Sequence, residues 1–176
     1  MEASDSASGS RRPSLLLQTV DLRKRFVPLL PENYAGNLIW MYGATSPEFN
    51  ETKLQNLVVT LRKGLEDFKE SCDTRIGLAE VRNFVDVVRN HKKNGDVDTI
   101  SSRCRFPFYE VNFGWGKPSW VCFLSISGKN VIIMMDTVDG DGIEVALSIG
   151  EEEMSFFERN QELLSFASFK NLLSAI

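Results

Sequence analysis

The sequence is poor in the residues that carry most acid–base and metal chemistry. It contains one histidine and three cysteines in 176 residues. The cysteines, Cys72, Cys104 and Cys122, are widely spaced and form no CxxC pair. An odd number of such cysteines fits reduced thiols in a cytosolic protein better than a disulfide framework. We therefore expect a cytoplasmic protein with no disulfide core and no metal site.

Long apolar runs and blocks of one charge are also missing. The run at residues 131–135 is far shorter than the ~20 residues that a transmembrane helix needs, and no apolar signal segment follows Met1. The 20 basic and 24 acidic side chains are spread along the chain, so no basic surface for nucleic acid stands out. We expect neither a membrane nor a nucleic acid as a partner.

The composition is that of a globular protein, with 43% hydrophobic and 25% charged residues, which is enough for one domain with a real core. Residues 1–13 are Ser-rich and lack helical or strand periodicity. We expect them to be a flexible tail or an inter-domain linker, and residues 14–176 to form the domain.

The pattern of apolar residues predicts two strands and two helices in the first half of the chain. Short apolar runs predict buried strands at 15–22 and 38–44. Apolar residues at helical spacing predict amphipathic helices at about 50–69 and 77–90. The polar stretch 91–98 is predicted to end the second helix.

The second half of the chain has the pattern of an antiparallel meander, with strands at 120–126, 131–136 and 143–149 joined by turn residues. Acidic residues 151–153 favour the start of a further helix. Strands and helices without regular βαβ alternation predict a layered α/β fold, with a mixed sheet and flanking helices. Residues 120–126 are apolar on both faces, so helices or a partner are expected to cover them.

The most unusual segment is Asn112-Phe113-Gly114-Trp115-Gly116-Lys117-Pro118. Glycines flank an indole and a proline fixes the exit, which favours a tight turn anchored by aromatic residues. None of these residues can act as a base near neutral pH, and the phosphate-loop pattern GxxxxGK[ST] is not satisfied. From its residues alone, the segment is structural.

The same segment looks like the DFGWG motif of the BAHD acyltransferases, and its surroundings resemble that family as well, notably the vinorine-synthase-like branch. The similar segments, in family order, are Asp21-Leu22-Arg23-Lys24-Arg25, Tyr34-Ala35-Gly36-Asn37, Ser102-Arg103-Cys104-Arg105-Phe106-Pro107-Phe108-Tyr109-Glu110, Met134-Met135-Asp136-Thr137, Gly140-Asp141-Gly142-Ile143-Glu144, Glu153-Met154 and Glu162-Leu163-Leu164-Ser165-Phe166-Ala167. The resemblance identifies the chain as the carboxyl-terminal half of such an enzyme, one of two chloramphenicol-acetyltransferase-like domains.

The resemblance implies transfer of an acyl group, acetyl favoured, from a coenzyme A thioester to a hydroxyl or amine of a plant specialised metabolite. Acyl-CoA would be a co-substrate and no cofactor would be bound. The family's catalytic HxxxD motif belongs to the missing amino-terminal half. Here the only histidine, His91, has Gly95 at the fourth position after it, so we interpret it as a solvated loop residue. We therefore expect no catalytic residue in this chain and no activity from it alone.

A second departure is Asn112, where the family has aspartate. In the family that carboxylate is thought to pair with an arginine at a position matching Arg23 or Arg25, and an amide would keep only a weaker hydrogen bond. The motif residues with this structural role are Asn112, Phe113, Gly114, Trp115 and Gly116. By resemblance, the coenzyme A contacts are expected at Val20, Asp21, Trp115, Gly116, Lys117 and Pro118.

Several alternatives remain open from the sequence. The basic residues at 11–12 and 23–25 either face a coenzyme A phosphate or form a solvated surface. The Asp-Gly turn at 138–142 is a hairpin connection and lacks the ligand spacing of a calcium loop. The whole chain is either part of an enzyme or a short non-catalytic homologue that binds acyl-CoA or a partner acyltransferase.

Overall fold

A computed structural model of the chain describes residues 13–25, 28–46, 54–72, 78–123, 126 and 128–169. The contacts divide this part of the chain into two compact units, residues 13–148 and 149–169. The tail predicted at 1–13 lies outside the described residues except for Pro13. None of the described helices is both long and apolar enough to span a membrane.

The first unit is built on a five-stranded sheet with the order β2-β1-β3-β4-β5. The strands are β1 (Ser14–Asp21), β2 (Ile39–Ser46), β3 (Asp96–Ser102), β4 (Val131–Asp136) and β5 (Ile143–Ser148). The central strands β1, β3 and β4 run parallel to each other, while β2 and β5 pair antiparallel at the two edges. The predicted mixed sheet is therefore confirmed.

Two amphipathic helices, α1 (Leu54–Cys72) and α2 (Leu78–Asn94), pack on one face of this sheet. Tyr42 of β2 stacks on Phe68 of α1 with ring centroids 5.5 Å apart, and Trp40 on the same face of β2 meets Phe84 of α2 at 5.7 Å. Both predicted helices are confirmed. The predicted start of the first, residues 50–53, lies outside the described residues.

The core under the first helix is formed by Val20, Tyr42 and Phe68. Only 7% of Tyr42 is exposed, and its hydroxyl donates to Oε1 of Gln18 at 2.6 Å. Burial raises the pKa of Tyr42 above its usual value because the phenolate would be poorly solvated, an effect that the charge of Arg25 partly opposes. This polar contact ties β1 to β2 beneath the helix.

The predicted meander is wrong in its first strand. Residues 120–123 and 126 lie in no strand, and the backbone N–H of Val121 donates to the hydroxyl of Tyr109 at 3.4 Å instead. Both edges of β4 are already taken, by β3 on one side and β5 on the other. A strand at 120–126 therefore has no edge of β4 to pair with.

The strand β3 was missed because its residues, DVDTISS, include two aspartates and read as a polar loop. Its strand conformation comes from parallel pairing on both sides, with β1 and with β4. In contrast, the predicted hairpin between β4 and β5 is confirmed, with a six-pair antiparallel register from Val131 with Ser148 to Asp136 with Ile143.

The second unit contains two short helices, α3 (Glu151–Phe157) and α4 (Gln161–Leu164). The predicted acidic helix start at 151–153 is confirmed: the carboxylate of Glu153 accepts from the backbone N–H of Gly150 at 2.8 Å, which closes the first turn. The side chain of Asn160 caps the second helix by accepting from the N–H of Leu163 at 3.0 Å.

Candidate functional site

The Gly-Trp-Gly loop is held by one side chain, the amide of Asn112. Its Oδ1 accepts hydrogen bonds from the backbone N–H groups of Gly114 at 2.8 Å and Gly116 at 3.1 Å. Both glycines have positive φ, 108° and 112°, a region that side-chain-bearing residues rarely adopt. The asparagine thus closes an Asx turn, and the glycines let the backbone wrap around its oxygen.

The base of the loop is closed by an ion pair between the ammonium of Lys117 and the carboxylate of Glu110. Glu110 ends a short 3-10 helix, Phe108–Glu110, in which the ring of Phe108 stacks on Phe106 with centroids 5.6 Å apart. Since both charged side chains are more than half exposed, the pair contributes little stability by itself. Its effect is to leave the loop with no net charge.

The aromatic rings of the loop point into solvent. Phe113 is 73% exposed and Trp115 is 85% exposed. The two rings lie 5.8 Å apart and are tilted by 32°. The loop therefore presents a compact pair of aromatic side chains that no other described part of the chain covers.

The predicted pair between Asn112 and an arginine is not formed among the described residues. Arg23 donates instead to Oδ1 of Asp21 at 3.2 Å and to the carbonyl of Gly36 at 2.7 Å. The guanidinium of Arg25 lies 5.9 Å from the ring centroid of Phe68, where a cation is attracted to the aromatic face. The side-chain oxygen of Asn112 accepts hydrogen bonds from within its own loop instead.

The expected coenzyme A contacts lie on two elements of the chain, the end of β1 and the Gly-Trp-Gly loop. Val20 is 9% exposed and belongs to the core under α1, so little of its side chain is available to a ligand. Asp21, beside it, is exposed and accepts from the backbone and the guanidinium of Arg23. Trp115, Gly116, Lys117 and Pro118 lie in the loop, and within the described residues no hydrogen bond joins them to Asp21.

His91 lies in the last turn of α2, so its interpretation as a loop residue was wrong. The helix continues four residues beyond the predicted end and stops at Asn94. Basic residues at 91–93 fall where the negative end of the helix dipole favours them, which explains why a polar stretch remained helical. The Nδ1 atom lies 3.0 Å from the carbonyl of Val87.

The other candidate groups fit structural roles. Asp139, in the hairpin between β4 and β5, accepts from the hydroxyl of Thr137 and from the N–H of Asp141. The hydrogen bond from Thr137 chiefly lowers the pKa of Asp139, as expected for an ionised acceptor. Cys104 and Cys122 are free thiols. Among the residues described, no three metal-ligating side chains gather at one point.

The family of the chain follows from its similarity to known proteins. The model of the Transferase family matches residues 1–164. The chain is a member of the BAHD acyltransferase family. Akuammiline synthase 1 of Alstonia scholaris is 39% identical over 163 residues, and deacetylvindoline O-acetyltransferase of Catharanthus roseus is 36% identical over 178 residues. These matches confirm the family that the sequence predicted.

Solved structures agree on the fold. The crystal structure of vinorine synthase matches 95% of this BAHD chain with a TM-score of 0.75 and 27% identity. That of F. sporotrichioides TRI101, complexed with coenzyme A and T-2, matches with a TM-score of 0.69 at 17% identity, which speaks for the fold alone. This chain spans about two fifths of the length of each relative, 38% and 40% for the two named above.

Sequence reasoning missed the local role of Asn112 in this BAHD loop. The pattern Asn-x-Gly-x-Gly was available as a signal, because asparagine side chains accept from backbone N–H groups two residues on and glycines supply positive φ. The exposure of Phe113 and Trp115 had no such signal. It depends on what lies around the loop in three dimensions.

Proposed function

We propose that residues 14–176 are the carboxyl-terminal domain of an acyl-CoA-dependent acyltransferase of plant specialised metabolism. The observation that carries this proposal is the family match over residues 1–164, together with relatives whose names include deacetylvindoline O-acetyltransferase and minovincinine 19-hydroxy-O-acetyltransferase. These names favour acetyl as the donor group and a hydroxyl as the acceptor, with an amine as the other acceptor class. The enzyme is proposed to act as a cytoplasmic monomer.

The proposed reaction needs a base that this chain does not supply. The histidine of the family's HxxxD motif, in the rest of the enzyme, takes the proton from the acceptor hydroxyl or amine. The acceptor atom bonds to the thioester carbonyl carbon, the carbon–sulfur bond breaks, and coenzyme A leaves as the thiol with that proton. A positioned base of this kind contributes about 10²–10⁴ in rate.

His91 is unsuited to replace that base. One of its ring nitrogens faces the carbonyl of Val87 within the same helix, and the residue four positions on is Gly95. No carboxylate is therefore placed by sequence to orient the imidazole as a base of the HxxxD kind. The domain is proposed to supply binding surface and no proton transfer.

The coenzyme A side of the site is proposed to include Asp21, the backbone of Trp115, Gly116, Lys117 and Pro118. This set follows from the family resemblance, and all of its residues are at the surface or partly exposed. The structure of F. sporotrichioides TRI101, which shares the fold, is that of a complex with coenzyme A. An alternative is that the chain is a non-catalytic homologue that binds acyl-CoA or a partner acyltransferase. The lack of a base of the HxxxD kind in this chain fits this alternative as well as the first proposal.

The two proposals differ in what the isolated chain does with acetyl-CoA. Binding is measured by calorimetry, and turnover by thiol release with a set of alcohol and amine acceptors. As one domain of an enzyme, the chain is expected to bind acetyl-CoA weakly, with Kd above about 1 mM, because half of the ligand's surroundings are missing. It should release no thiol above the uncatalysed rate.

The outcomes of this experiment distinguish the two proposals. Micromolar binding without turnover would favour the non-catalytic homologue. Thiol release by the chain alone that His91→Ala abolishes would overturn both proposals, because this chain would then contain its own base. Lys117→Ala serves as the probe of the proposed contact surface and is expected to weaken any binding measured.

A further inference from the structure

The aromatic finger, defined as Phe113 and Trp115 at the tip of the loop that Asn112 closes, is an unusual surface feature. A tryptophan exposed by 85% stands beside a phenylalanine exposed by 73%. Large aromatic side chains bury 150–250 Å² each in a typical core or interface. A pair of them left in solvent at one point marks an interaction surface.

The finger is held in position by groups other than its own rings. The carboxamide of Asn112 fixes the backbone at Gly114 and Gly116, and the pair between Lys117 and Glu110 closes the base. The rings contact each other at the tip. A loop held this way loses little conformational freedom when it docks, so more of the contact energy appears as affinity.

The chemistry of the finger fits an apolar protein pocket. The two charged residues at its base pair with each other, and the tip itself consists of the two apolar rings of Phe113 and Trp115. Tryptophan is among the residue types that dominate binding energy at protein interfaces, where it fills desolvated pockets. The finger therefore suits a concave apolar surface of another folded element.

The length of the relatives indicates where that element lies. Each relative has about three fifths of its chain outside the segment that matches this one. Within the part of this chain that the structure describes, nothing covers the finger. We propose that the aromatic finger docks into an apolar pocket of the unmatched part of the acyltransferase and fixes the carboxyl-terminal domain against it.

This inference rests on the proposed function only in that both require the rest of the enzyme. The test uses the full chain in two forms: by itself, and joined to the unmatched part of deacetylvindoline O-acetyltransferase in place of that enzyme's matched segment. Hydroxyl-radical footprinting with mass spectrometry reports the accessibility of Trp115 and Phe113. We expect at least fivefold slower oxidation of both rings in the joined protein than in the isolated chain.

Substitution of the rings gives a second, independent readout. Trp115→Ala and Phe113→Ala should leave the melting temperature of the isolated chain within about 1 °C, because the rings are exposed there. In the joined protein each should lower the melting temperature by several degrees. Leu29→Ala, at a residue 73% exposed outside the finger, is the matched control and should be neutral in the isolated chain.

The finger proposal is overturned if Trp115 stays as accessible in the joined protein as in the isolated chain. It is also overturned if Trp115→Ala lowers the melting temperature of both forms by the same amount. Concentration-dependent protection and a dimer of the isolated chain that Trp115→Ala abolishes would assign the finger to a second copy instead. Should the first joined protein fail to melt cooperatively, the same join is made to akuammiline synthase 1. A joined protein that is inactive but has a protected finger would contradict the proposed function and support the docking of the finger. A joined protein that is active but has an exposed finger would support the proposed function and contradict the docking.

Discussion

The contact of Tyr42 with Gln18 makes a sharp test of how the sheet and its first helix are held together. In Tyr42→Phe the ring keeps its volume and its stacking on Phe68, with centroids 5.5 Å apart. What is removed is one hydrogen bond, from the Tyr42 hydroxyl to Oε1 of Gln18 at 2.6 Å. A neutral hydrogen bond of this kind contributes about 0.5–1.5 kcal/mol net.

The expected loss in the free energy of unfolding is therefore about 1 kcal/mol, or ~2–4 °C in melting temperature for a chain of this size. The partly buried Gln18 keeps some access to water, so a much larger loss is not expected. Urea unfolding followed by circular dichroism at pH 8 measures the difference. Tyr34→Phe is the matched control, because Tyr34 is 48% exposed and a surface change of this kind costs less than about 0.5 kcal/mol.

The pH dependence of the same substitution tests the cause of the shifted pKa. Burial raises the folded-state pKa of Tyr42 above its unfolded value, so its contribution is complete below pH ~10 and is lost as pH rises through the folded pKa. The stability advantage of the wild type over Tyr42→Phe should accordingly shrink as the pH is raised above about 10. A neutral substitution at pH 8, or an advantage that stays constant with pH, would refute this account of the core.

Two further substitutions probe the backbone. Asn112→Ala should speed amide hydrogen exchange at Gly114 and Gly116 several-fold because both lose their acceptor, while Asn112→Asp keeps it; equal exchange in wild type and alanine variant would contradict the Asx turn. Gly95→Ala should cost about 1–3 kcal/mol in chemical unfolding, since a Cβ there would meet the carbonyl oxygen of Pro13 at 2.1 Å and the chain must shift. An unchanged unfolding midpoint would show that β1 and the end of α2 are not so closely packed.

Elements with their own hydrophobic pattern were predictable from the sequence. The strands β1, β2, β4 and β5 and both long helices carry that pattern in contiguous residues. In contrast, β3 could not be predicted, because Asp96 and Asp98 make it look polar and its backbone is paired by strands distant in the chain. The error at 120–126 has the same origin. Apolar residues are compatible with a strand, but a strand forms only where a sheet edge is free to pair with it, and both edges of β4 are paired.

The family was predictable from the residues of the loop and its neighbouring segments, and the geometry of the loop was less so. The resemblance of the Gly-Trp-Gly segment led to the correct family. The expected partner of Asn112 was an arginine, whereas in the structure its side-chain oxygen accepts from the backbone N–H groups of Gly114 and Gly116. Local turn chemistry was readable from the residues themselves. The exposure of Phe113 and Trp115 was not, because it depends on which residues distant in the sequence lie near the loop.

The central claim is that this chain is one domain of an acyltransferase and completes an active site supplied elsewhere. The most direct measurement is acetyl transfer from acetyl-CoA to deacetylvindoline by the protein in which this chain replaces the matched 40% of deacetylvindoline O-acetyltransferase. The account predicts product formation that stops when the histidine of the HxxxD motif in the joined part is changed to alanine and is unaffected by His91→Ala. A folded, monodisperse joined protein that forms no product with this or any other alcohol or amine acceptor would contradict it.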